Sequence, residues 1–112
     1  MSTNTCNVSN AVEALDELVK VLDQAYWEAS SIDKKDTIYD IIHVVLLELT
    51  ELSKISAQDH DFAYEPITHE IKIVVNKLSY LRKNLDEIAR RTQTAERLDK
   101  AIFNAMALHE RY

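Results

Sequence analysis

The sequence predicts an all-α protein: an antiparallel up-down bundle of four helices, or of three if the last two are continuous. Three observations carry this expectation. Apolar residues recur at steps of three and four through most of the chain, the period of helices packed along one side. The 112 residues include no glycine and one proline, whereas average usage of about 7 % would supply roughly eight glycines. Tight hairpins between twisted strands need residues at positive φ, which glycine usually supplies, so a sheet-rich fold is disfavoured. Finally, the only long connection is the stretch from Ala57 to Glu65, and short connections make consecutive helices antiparallel.

The length suits one core and not two. Met1 to Ser9 is polar and is expected to be a flexible tail, leaving residues 10–112 as a single bundle domain. Asn10 with Glu13 has the form of a capping box and predicts the first helix start. From there Val12, Leu15, Val19, Leu22, Tyr26 and Ala29 form a seam, widened by Leu18 and Ala25. Trp27 lies beside that seam as a boundary residue. Ser30, Ser31 and Asp33 offer a stop and a new cap, and a second helix is expected from about Lys34 to Ser56.

That second helix is the most apolar part of the chain. Ile38, Ile42, Val45, Leu49 and Leu52 form its seam, and Ile41, Val44 and Leu47 extend the apolar surface round the cylinder. Phe62 and Tyr64, in the acidic connection that follows, are expected to plug one end of the bundle. Pro66 suits the first position of a third helix, where its missing N–H would have no partner. Ile67, Ile71, Val74, Leu78, Leu81, Leu85 and Ile88 then step four and three without a fault. The pattern changes phase between Arg91 and Thr94 and resumes as Ala95, Leu98, Ile102 and Ala105. A break there, with Thr92 or Thr94 as cap, would make a fourth helix.

Charge is unevenly spread. Residues 1–65 hold 4 Lys+Arg against 13 Asp+Glu, a net of −9, and residues 66–112 hold 9 against 6, a net of +3. The two halves are therefore complementary to each other, or to a second copy. The single cysteine, Cys6, cannot pair within the chain, and Met1 to Asn10 lacks both the basic start and the apolar stretch of a secretion signal. The expected compartment is the reducing cytoplasm. No apolar run approaches the roughly 18 to 20 residues that span a membrane.

Chemistry is hard to find. Asp36, Asp40 and His43 share one helical face at i, i+4 and i+7, but bundle metal sites pair Glu-x-x-His motifs on two helices, and here Asp-x-x-His occurs once. His69 followed by Lys72 resembles the phosphorylated segment of histidine phosphotransfer bundles over two residues only. Bulky Ile73 and Val74 stand where that family has small residues that admit the incoming receiver. Cys6 is remote in sequence from any histidine, no serine sits in a Gly-flanked turn, and a Gly-rich phosphate cradle is excluded. No catalytic residue, cofactor or metal is assigned.

What remains points to association. The expectation is a small cytoplasmic interaction module, a regulator, adaptor or inhibitor that binds another protein and also itself, without catalysis. Trp27, Tyr39, Phe62 and Tyr64 are the aromatic contact candidates, since large aromatics dominate interface energies. Arg90 and Arg97 add charge. They share a stripe with Lys83 and lie near Lys100, which gives the alternative reading, a nucleic-acid-associated regulator using a basic ridge over residues 82–100. Asp86, Glu87, Glu96 and Asp99 interrupt that ridge, and the net charge of −6 opposes long-range attraction to phosphates. A metal-dependent or phosphotransfer bundle is a third, weaker alternative.

Overall fold

The protein is an all-α bundle, seen in a computed structural model that describes residues 7–85 and 92–108. Helix α1 spans Val8–Glu28. It starts ahead of the expected Asn10/Glu13 box because Asn7 and Asn10 cap reciprocally. The Asn7 side chain accepts from the Asn10 N–H at 2.8 Å, and the Asn10 side chain accepts from the Asn7 N–H at 3.2 Å. Val8 and Ser9, expected in the tail, are thus the first turn of a helix, and Val8 is buried. Helix α2 spans Ile32–Leu52, with Ser31 accepting from the Lys34 N–H. It stops before the expected Ser56. The Ser53 hydroxyl donates back to the Thr50 carbonyl at 2.6 Å, and the Lys54 and Ile55 N–H groups reach only three residues back, so the last turn tightens.

The third rod departs most from expectation. Pro66 is not its first residue; the helix begins at His69, capped by Thr68, whose hydroxyl accepts from the Ile71 N–H at 3.2 Å. The rod is also divided, into α3 (His69–Ile73) and α4 (Val75–Lys83). At the joint the Val74 N–H bonds to the Ile71 carbonyl, three residues back. Ile71, Ile73, Val74 and Val75 crowd β-branched side chains around this turn, a local reason for it to tighten. Helix α4 ends where Asn84, at φ −124° and ψ 32°, leaves the helical path and its side-chain amide donates to the Tyr80 carbonyl at 2.8 Å. Helix α5 spans Thr92–Ala107. Thr94 lies inside it and not at its cap; of the stretch where the break was expected, Arg91 lies outside the described residues, as do Ile88 and Arg90 before it, while Thr92 to Thr94 are helical.

Contacts between rods give the topology. Thr94 meets Glu28, and Arg97 meets Gln24 and Glu17, so α5 runs antiparallel to α1. Glu48 meets Thr68, and Lys34 meets Tyr80, so α3 and α4 run antiparallel to α2. With α1 and α2 joined by only Ala29, Ser30 and Ser31, the result is an up-down bundle. Among the described residues the only β-type pairing is an isolated bridge between Asn7 and Ala63, and none adopts positive φ.

The core shows which seams face inward. On α1 these are Val8, Ala11, Leu15, Leu18, Val21, Leu22 and Ala25, followed by Ala29 at its C-cap, with Val12, Val19 and Tyr26 half-buried on the flank. The expected seam was therefore one of two overlapping rows, and the true centre is the row with alanines, which let neighbouring rods approach closely. The same correction holds for α2. Its inward row is Ile38, Ile41, Val45, Glu48 and Leu52, while Ile42 and Leu49 are flanking. Along the third rod Ile71, Val74, Leu78 and Leu81 are buried as expected, and Ile67 is exposed.

Candidate functional site

One charged residue sits in the middle of an apolar row. Glu48 is fully buried on α2, and both of its carboxylate oxygens are occupied. Oε2 accepts from the Tyr64 hydroxyl at 2.7 Å and the Ile67 N–H at 2.8 Å, and Oε1 accepts from the Thr68 N–H at 2.8 Å. Pro66 holds this segment extended ahead of α3, so the Ile67 and Thr68 N–H groups have no helical acceptor, and the carboxylate supplies one. Glu48 thus fastens the long connection to the bundle. Buried polar groups are tolerated when their hydrogen bonds are made, and here they are made to two elements at once.

Tyr64, expected as a contact residue and as a plug, is only 3 % exposed, held against the bundle by Glu48. Phe62, expected with it as a plug, points outward at 66 % exposure. The connection is also held on the N-terminal side of Tyr64. The Val8 N–H donates to the Phe62 carbonyl at 3.0 Å and the Ser9 N–H to the His60 carbonyl at 3.2 Å, so the first donors of α1 fix the loop. Over this frame lies an open depression of about 270 Å³. It is lined by Val8, Leu52, Ile55, Phe62, Ala63, Tyr64 and Ile67, and Asp59 and Glu65 add the charges.

The other end carries a different arrangement. Trp27 is 74 % exposed at the corner between α1 and α2 and meets Tyr26 edge to face, ring centroids 5.2 Å apart. The Lys35 ammonium lies 4.7 Å from the Tyr26 ring centroid and 5.8 Å from that of Trp27, and it donates to the Tyr26 carbonyl in the last turn of α1. Ile32 is exposed beside this corner and Tyr39 further along α2. Since α1 separates Val8, bonded to the loop, from Trp27, the two aromatic candidates stand roughly 30 Å apart at 1.5 Å per residue. They do not form one site.

No family model matches this chain. No curated protein and no solved structure matches it significantly either. The functional reading rests on the chain's own surface.

That surface bears on the alternatives. Arg97 is engaged within the bundle, 3.1 Å from Glu17 and 3.1 Å from Gln24, and Arg82 pairs with Asp99 at 2.7 Å while lying over the Phe103 ring. Two cations of the ridge are thus committed to neighbouring rods, and Arg90 lies outside the described residues. On α1 the exposed Lys20 has its pKa raised by the hydrogen bond and charge of Asp16, one turn earlier. Asp36, Asp40 and His43 are exposed on α2, and among the described residues no group of three or more His, Cys, Asp or Glu side chains is placed to hold a metal ion. His69 is exposed at the start of α3, beside an exposed Ile73 and a buried Val74. Among the described residues no helix is long and apolar enough to cross a membrane.

The sequence reading missed Glu48, Ile32 and the Glu28–Thr94 contact, in which the buried Thr94 hydroxyl donates to the Glu28 carboxylate at 2.8 Å. The first had a signal: a lone acid within Val-Val-Leu-Leu-Glu-Leu, in phase with Ile41 and Ile55.

Proposed function

We propose that the protein is a small cytoplasmic helical interaction module, a regulator, adaptor or inhibitor that works by binding another protein and by self-association, and that needs no catalysis. The observation that carries the reading is the placement of its large apolar side chains. Trp27, Ile32, Tyr39 and Phe62 are each more than 60 % exposed while a continuous core is already filled without them. Aromatic anchors of this kind gain most when a partner removes them from water. A filled core means that nothing inside the bundle needs them.

The test is cross-linking in the native cell followed by mass spectrometry, comparing wild type with Trp27→Ser and Phe62→Ser. Both substitutions touch exposed side chains and should leave helical circular dichroism unchanged. The expected result is a partner, or a second copy, captured by wild type and lost in at least one variant. Equal capture by all three proteins would overturn the reading. As the only tryptophan, Trp27 also reports directly. Its emission should be quenched by acrylamide almost as freely as that of a tryptophan peptide, and protection should appear when a partner binds at that end.

A further inference from the structure

We infer that the depression between the start of α1 and the long connection is the seat for an apolar anchor of a basic peptide segment on a protein partner. This rests on the interaction-module reading and deepens it. The cavity, about 270 Å³, falls just under the range of roughly 300–1,000 Å³ typical of small-molecule sites. It suits one large side chain of a peptide, the kind of anchor that dominates interfaces. Its lining is mostly apolar and includes Phe62, which gains nothing from the fold by standing in water.

The seat is also built in advance. Tyr64 is fastened to Glu48, Ile67 and Thr68 are fastened by their N–H groups, and the Phe62 and His60 carbonyls are held by α1. A peptide would meet a surface that loses little further freedom on binding.

Charge selects the occupant. Asp59 and Glu65 border the cavity and Asp61 lies between them in sequence, and none of the three carboxylates meets a cation among the described residues. Glu17 and Asp99 on the rods are paired, whereas Asp36 and Asp40 on α2, like these three, meet no cation among the described residues; what marks Asp59 and Glu65 is that they border an apolar depression. An acidic border round an apolar seat favours lysine or arginine flanking a leucine or phenylalanine, and repels the acidic counterpart.

The probe is a labelled hexapeptide with lysines flanking a Leu-Phe pair, set against the same peptide with glutamates for lysines. Both are titrated into the full chain labelled for amide NMR. The expected result is a saturable response confined to Val8 and residues 52–67 with the lysine peptide, weakened roughly tenfold by Asp59→Lys with Glu65→Lys and lost in Phe62→Ser. No response, equal response to the glutamate peptide, or perturbations centred on Trp27 would overturn the inference. So would the same perturbations appearing on concentrating the protein alone, since a second copy would then be the occupant. If cross-linking capture depends on Trp27 and not on Phe62 while the peptide fails, the interaction reading stands and this inference falls.

Discussion

Glu48→Ala is expected to lower the unfolding free energy by about 3–5 kcal/mol, a large part of the roughly 5–15 kcal/mol available to a domain. The substitution removes the acceptor that the Ile67 and Thr68 N–H groups and the Tyr64 hydroxyl have among the described residues. A donor stranded in the interior costs about 1–3 kcal/mol, and the N–H of Ile67, whose residue is 42 % exposed, should recover part of that through water. Glu48→Gln keeps the volume and one carbonyl oxygen but presents an NH₂ where a donor already points, so a smaller loss of about 1–2 kcal/mol is expected. Tyr64→Phe removes one bond and should cost about 1 kcal/mol. Because the two side chains touch, Glu48→Ala with Tyr64→Phe should cost less than the two losses added together. Urea titration followed by circular dichroism reads all four variants. A Glu48→Ala protein as stable as wild type would mean that the carboxylate does not fasten the connection.

The second large effect separates two faces of α1. Leu18→Ala should cost about 2–5 kcal/mol because Leu18 is fully buried and its removal leaves a cavity between rods. The neighbouring Val19→Ala should cost only about 1 kcal/mol, since Val19 is half-buried on the flank. Both shift the urea midpoint with the slope unchanged if folding remains two-state. The reverse ranking would turn α1 so that the row through Val12, Val19 and Tyr26 faces the centre.

That pair of residues also shows what the sequence could and could not resolve. On α1 and on α2 two rows of three-and-four spacing overlap, sharing Leu15, Leu22 and Ala29 in one case and Ile38, Val45 and Leu52 in the other. Periodicity established both helices but could not choose between rows, because each rod packs against two neighbours and buries parts of both. On the third rod Glu70 and Lys77 occupy the competing row, and the inward residues Ile71, Val74, Leu78 and Leu81 were unambiguous. An unbroken seam still did not mean an unbroken helix. Burial depends on the spacing of apolar side chains, whereas continuity depends on backbone hydrogen bonds, which tighten at Val74 and are diverted at Asn84.

The candidate site was legible only in outline. Phe62 and Trp27 were visible as aromatics in or beside polar segments, and the structure leaves both exposed. Tyr64 looked equivalent to Phe62, yet its hydroxyl finds a carboxylate sixteen positions earlier on another element. A contact of that sequence separation leaves no local pattern. Glu48 could have been flagged as an acid in an apolar row, but its three donors, which decide whether such an acid is tolerated, are a hydroxyl and two backbone N–H groups sixteen to twenty positions later, which side-chain periodicity does not reveal.

The most direct measurement is amide hydrogen exchange at Ile67 and Thr68. These residues precede α3, and the account assigns their protection to the Glu48 side chain alone. It predicts clear protection of both amides in wild type, comparable to the adjoining helix, and exchange near the rate of an unstructured peptide in Glu48→Ala under conditions where α1 stays protected. Unprotected amides at both positions in wild type would contradict it, and with it the preformed seat at this end of the bundle.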